Sequence, residues 1–273
     1  MWSLRSRSIR LISLAVLPVI CIFTVLSVVT HMQERAVDEE ASRWAIKQLW
    51  SADQGEREAA KVNLLRLNQK AIPQLIALLR DIESDPRPRY APGREDDVVE
   101  AEARYRALLK SGKTEESREA LDDLMNIRIT WRLKKDVCEL LGRLHAEEAI
   151  PALIDAMVSQ DSVGSWETMS PQMQALMDIG APAVVKLIEA IETAEQRADA
   201  IEFKDEPIFT EEARRRIAKI QVFQTKARAC MVLGEIGDGR ALPALEKLLS
   251  ETDDPILSPY IIEGLKKIRA KAN

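Results

Sequence analysis

Four segments of this chain repeat one pattern, and a repeat limits the available folds more than any other feature of the sequence. They are LLRLNQKAIPQLIALL from Leu64, LGRLHAEEAIPALIDAM from Leu141, LMDIGAPAVVKLIEAI from Leu176 and LGEIGDGRALPALEKLL from Leu233. Each reads Leu-x-x-(Leu or Ile), a turn residue, two or three linking residues, then Ala-(Ile, Val or Leu)-(Pro or Val)-x-Leu-x-x-x-(Leu, Met or Ile). The turn slot holds Asn68, His145, Gly180 and Gly237, where a helix ends on a left-handed residue that Gly or Asn adopts at little cost. Pro73, Pro151 and Pro243 stand at the start of the next helix, whose first amide hydrogens are unpaired anyway. In that second helix Leu75, Leu153, Leu187 and Leu245 are followed four residues on by Leu79, Met157, Ile191 and Leu249, one apolar stripe per repeat. Neither helix of a pair can bury its stripe alone, so the pairs must stack into an all-α solenoid, an α-α superhelix. Composition agrees: aromatics are 4% of the chain and Ala, Leu, Glu and Arg are abundant, which favours helix.

The pattern resembles HEAT repeats, and most closely the short bacterial subtype named after phycobilisome lyases, whose pieces look like LGEIGDGRALPALEKLL. The resemblance covers most of residues 42–269. It implies a HEAT-like solenoid that binds proteins, since only a few members are chromophore lyases or other enzymes, and it transfers no catalytic residue. It also implies that the second helices line a concave face. The positions one and four residues after the proline slot would point outward there: Gln74 and Ala77, Ala152 and Asp155, Lys186 and Glu189, Ala244 and Lys247. That surface is small and mixed in charge, suited to a peptide or a protein helix.

The marker leucines are spaced by 78, 34 and 58 residues, so only the middle interval is a plain repeat. The first interval contains the Pro- and Arg-rich stretch ESDPRPRYAPGREDDVV and two helical runs near 97–110 and 115–127, read together as a helical insertion at about 83–127. The last has long helices on either side of FKDEPIF, with Thr210 before Glu211 and Glu212 as a cap. Residues 256–269 read as a closing half-repeat, which sets the solenoid at 52–269. Residues 31–51 form a juxtamembrane helix and cap, with Val37, Ala41, Trp44 and Gln48 at helical spacing. Trp44 and Trp50 are expected to pack on the first repeat, the competing placement being the lipid surface.

Ahead of the repeats, residues 11–30 read LISLAVLPVICIFTVLSVVT, twenty residues without a charge, which as a helix at ~1.5 Å per residue would be about 30 Å long. That length spans a bilayer. A cleaved signal peptide is the competing reading, but its apolar part is normally about 7–15 residues with a small-residue site after it. The segment is therefore read as one amino-terminal transmembrane helix, with residues 1–10 as a cytoplasmic tail. Arg5, Arg7 and Arg10 precede it, and Arg35, Arg43 and Lys47 follow. The first set lies tight against the segment, which points the body out of the cytoplasm.

The net charge is −5 and the three arginines of the tail offset part of a more acidic body, which cannot offer a nucleic acid the field of cations it requires. With two histidines in the chain, His31 and His145, a zinc site has almost no ligands, and His145 occupies a turn slot. Cys138 and Cys230 each precede a repeat proline by thirteen residues, a shared register that reads as core and not as a disulfide. The chain shows no G-x-S-x-G, phosphate loop or H-E-x-x-H. Basic groups at Arg128, Arg132, Lys134 and Lys135 around Trp131, and at Arg214, Arg215, Arg216 and Lys219, read as solvated faces, and Trp166 as buried beneath a loop. The expectation is a non-catalytic scaffold or adaptor anchored in a bacterial inner membrane, its body periplasmic or otherwise extracytoplasmic. It would need no cofactor or metal and would bind membrane-proximal protein partners but not nucleic acid. The alternative is a lyase-type enzyme or subunit with a cofactor pocket in the concave face.

Overall fold

The turn slots set the architecture. In the computed structural model, which describes residues 36–84, 95–158, 169–199 and 210–272, the backbone turns to positive φ at all four: Asn68 at 53°, His145 at 46°, and Gly180 and Gly237 at 77°. The conformations differ in ψ. Gly237 is truly left-handed at ψ 18°, whereas Asn68 and Gly180 lie near ψ −131° and −134°. After three of these turns a single 3-10 turn leads into the second helix, at Asn68–Lys70, Glu147–Ala149 and Gly239–Ala241.

Every regular element among the described residues is a helix. Helix α1 covers residues 36–49 of the described chain. Then come α2 (Gln54–Leu67), α3 (Ile72–Ser84), α4 (Glu95–Lys110), α5 (Thr114–Arg143), α6 (Ile150–Val158), α7 (Pro171–Ile179), α8 (Ala183–Glu192), α9 (Ala194–Asp199), α10 (Glu211–Ile236), α11 (Leu242–Glu251) and α12 (Ser258–Ala272). Local signals start several of them. Asp53 accepts from the Glu56 amide at 2.9 Å to cap α2, Ser170 caps α7 ahead of Pro171, and Thr210 caps α10 by accepting from the Ala213 amide at 3.2 Å.

The pairs α2/α3, α5/α6, α7/α8 and α10/α11 are the four repeats. They layer serially: among first helices α2 packs on α5, α5 on α7, α7 on α10 and α10 on α12, and among second helices α3 packs on α6 and α6 on α8. Leu75, Leu79, Leu153, Met157, Leu187, Ile191 and Leu245 are buried in one continuous core that runs from Ala45 and Leu49 of α1 to Ile268 of α12. Each such side chain contributes on the order of 1.5–3 kcal/mol by leaving water. Leu249 is only half-buried, because α11 is the last second helix and no further one packs behind it among the described residues.

Three expectations change. The insertion's second helical run is not separate: it is the amino-terminal half of the 30-residue α5, whose other half is the first helix of a repeat. Helix α4 lies against that projecting half, fastened by the small cluster Ala101, Leu124 and Tyr105. The long helix expected before residue 203 is two, α8 and α9, broken at Thr193, whose hydroxyl donates to the Glu189 carbonyl at 2.8 Å. In α1 the buried face is Ser42, Ala45 and Leu49, while Val37, Ala41 and Trp44 face solvent. Helical spacing pointed to the wrong stripe, because α1 approaches the first repeat through Ser42, Ala45 and Leu49, with Asp38 pairing with Lys70 at 2.5 Å beside the α2–α3 turn.

No described helix is long and apolar enough to cross a membrane. The segment 11–30 read as an anchor, the tail 1–10, residues 85–94 of the Pro-rich stretch, Trp166 and the FKDEPIF loop lie outside the described residues.

Candidate binding surface

The outward positions of the second helices recur once per layer, because each helix starts from the same turn and buries the same stripe. Ala77, Asp155, Lys186, Glu189 and Lys247 are exposed, and so are Pro73, Pro151, Val185 and Pro243 in the proline slot itself. Gln74 and Ala244 are half-buried. Ala152 is corrected: at 4% exposure it belongs to the core and cannot line a surface. The reason is the position of α6, which packs against α3, α7, α8 and α10 and is buried almost all round.

Charge on this face is paired within and between layers. Lys186 donates to Glu189 at 2.6 Å, and that hydrogen bond and the lysine's charge hold the Glu189 carboxyl below its ordinary range. Arg197 of α9 reaches back three helices to Asp155 of α6 at 2.8 Å. Lys226 of α10 meets Glu195 of α9 at 2.6 Å; burial is the largest single influence and works against ionisation of Glu195, but this bond, a backbone hydrogen bond and the lysine's charge together outweigh it and the carboxyl is depressed. Beneath them the Arg228 guanidinium, buried on α10, donates to the Met157 carbonyl near the carboxyl end of α6. The face therefore offers alternating acids and bases on a stiff frame, with small apolar surfaces at Ala77, Val185 and the prolines between them.

The basic cluster around Trp131 is divided by the fold. Lys135 stands over the Trp131 ring, 5.4 Å from its centroid, and Arg128 pairs with Glu102 of α4 at 2.9 Å. Lys134 is buried and pairs with Glu83 of α3 at 2.5 Å, so it is neither a solvated charge nor a docking group. Arg132 and Arg57 both donate to the Ser51 carbonyl, which ties the α1–α2 turn to α5; burial and the nearby Arg57 charge depress the Arg132 pKa. Sequence reading also missed Lys61, buried on α2, which donates to Asp136 of α5 at 3.1 Å and meets Glu58 at 2.8 Å. Burial alone would lower the Lys61 pKa, yet these carboxylates raise it. A lysine one residue after the buried Ala60 was the available signal.

Both core cysteines are inert thiols. Burial pushes Cys138 and Cys230 each up to about 12, and neither is in a disulfide. His145 is exposed in its turn. Among the described residues no three His, Cys, Asp or Glu side chains cluster as metal ligands would.

Residues 226–251, the second half of α10 with its turn and α11, match the model of the PBS lyase HEAT-like repeat. No curated protein and no solved structure matches the chain.

Proposed function

We propose that this chain, built on HEAT-like repeats, is a non-catalytic protein-interaction scaffold or adaptor held at a bacterial inner membrane by residues 11–30, with its body outside the cytoplasm. One observation carries the reading. The exposed positions of α3, α6 and α8, above all Ala77, Asp155, Lys186, Glu189 and Val185, recur in register over successive layers, as a surface that grips an extended peptide or a helix requires. Glu195 and Glu235, whose carboxyls are held below their ordinary range, are engaged by lysines of neighbouring helices, a use of charge that braces the frame behind a display surface. A rigid surface loses little entropy on binding.

The test is site-specific photocrosslinking in native membranes, with the crosslinker at Glu189 or, as a control, at Arg143 on the exposed side of α5, followed by mass spectrometry. A protein recovered through position 189, absent through 143 and lost when Lys186→Glu is introduced, is the expected result. Capture of the same abundant proteins from both positions would overturn the reading. A phosphatase fused after Asn273 should be active if the body is outside the cytoplasm and silent if it is inside.

A further inference from the structure

We infer that α1 lies in the headgroup layer of the membrane and touches lipid through Val37, Ala41 and Trp44. The inference rests on the reading of residues 11–30 as an anchor. On α1 the core face is Ser42, Ala45 and Leu49. About a quarter turn away, at i, i+4 and i+7, Val37 is 66% exposed, Ala41 is exposed and Trp44 is 57% exposed. Glu40 and Lys47 border this stripe in solvent. A helix that buries one face in its own protein and holds a second, Trp-bearing face in contact with charged residues matches the chemistry of the bilayer interface, where an indole sits with its ring in the acyl boundary and its N–H in the headgroups.

Length limits where α1 can be. Val37 follows Thr30 by seven residues, which at ~3.3–3.6 Å per residue cannot exceed about 25 Å even fully extended. Trp44 is a further ~10 Å along the helix at ~1.5 Å per residue. Tethered so close to the span, the stripe needs little intrinsic affinity to stay in contact, because the tether sets a high effective concentration. A protein occupant fits less well: three side chains between charged neighbours fall far short of the roughly 20–30 residues per side that a stable protein interface uses. With α1 fixed to the core through Leu49, such contact would set the tilt of the whole repeat stack over the bilayer.

The full chain is reconstituted into vesicles of phosphatidylcholine and phosphatidylglycerol with bromine on the acyl chains, and bromine quenching of tryptophan emission is compared for wild type, Trp44→Phe and Trp50→Phe. The expected result is that Trp44→Phe removes at least half of the quenching contributed by the tryptophans of the body while Trp50→Phe does not, and that Val37→Glu lowers the quenching of Trp44 although the chain still floats with the vesicles. If the chain floats but Trp44→Phe leaves the quenching unchanged, the stripe does not touch lipid and the anchor reading stands. Failure to float with vesicles overturns the anchor reading and this inference with it. Shielding of Trp44 from aqueous iodide that rises with protein density, without bromine quenching, would assign the stripe to a second copy and overturn the lipid contact.

Discussion

Gly234 of α10 and Gly264 of α12 face each other so closely that a methyl group on Gly234 would stand 2.9 Å from the Gly264 Cα. A methyl on Gly264 would in turn stand 2.9 Å from the Cys230 carbonyl oxygen. The closing helix thus seats on the last repeat by backbone-to-backbone approach. Lys267 locks it by donating to Glu235 at 2.7 Å.

Gly234→Ala should therefore lower stability by about 1–3 kcal/mol despite the better helix propensity of alanine, since α12 must move outward. At that size a melting temperature falls by roughly 2–4 °C per kcal/mol. Gly239→Ala, where a methyl would meet nothing within 4 Å, is the control. A melting temperature for Gly234→Ala equal to wild type would show that the helices have slack.

Asn68 holds φ 53° and ψ −131°, a region that glycine enters without strain and other residues at a cost of order 1–3 kcal/mol. Asn68→Gly is expected to raise stability by roughly 1 kcal/mol in urea denaturation, net of the greater freedom glycine adds to the unfolded chain. A drop in the urea midpoint would refute the strain.

Lys61→Met leaves Asp136 buried without its partner, a loss of about 3–5 kcal/mol by the usual measure of broken buried pairs. Lys61→Met with Asp136→Leu should recover most of it, and urea titrations of both single variants and the double one measure the coupling. A loss in the double variant equal to the sum of the two single losses would mean that the pair is not coupled.

Glu235 binds its proton less tightly in the folded chain than in the unfolded one, because Lys267 donates to it and its charge adds to the effect. Its share of stability is therefore complete above the unfolded carboxyl pKa of about 4.3 and is lost as the pH falls below that value through the folded pKa. Glu235→Gln should be less stable than wild type at pH 7, and the gap should close toward pH 3. A constant gap across that range would exclude the linkage.

Cys138 and Cys230 should react with an aromatic disulfide reagent only when the repeats open, because burial raises both thiols to about 12. In a Cys21→Ser background, the labelling rate should follow the unfolding equilibrium as urea is added. Fast labelling in the absence of denaturant would show that the layers are looser than their packing implies.

The repeat was legible because its determinants are local. Asn68, His145, Gly180 and Gly237 turn the chain through their own φ, the prolines start helices through their own missing amide hydrogens, and the leucines at i and i+4 share a face whatever surrounds them. Much less of the candidate surface could be read this way. Ala152 was expected outside and is inside because α10, more than fifty residues later in the chain, arrives to cover α6 together with α3, α7 and α8. Lys134 belongs to a basic run but is neutralised by Glu83 from an earlier helix, and Trp44 lost the core face of α1 to Ser42, Ala45 and Leu49. The sequence by itself determined where the repeat helices turn and cap, since those are matters of backbone sterics within a few residues, though not that α5 runs unbroken or that α8 and α9 part at Thr193. Only the tertiary structure decided which face each helix buries and which charges meet, because burial and pairing depend on the neighbours that stacking brings from distant parts of the chain.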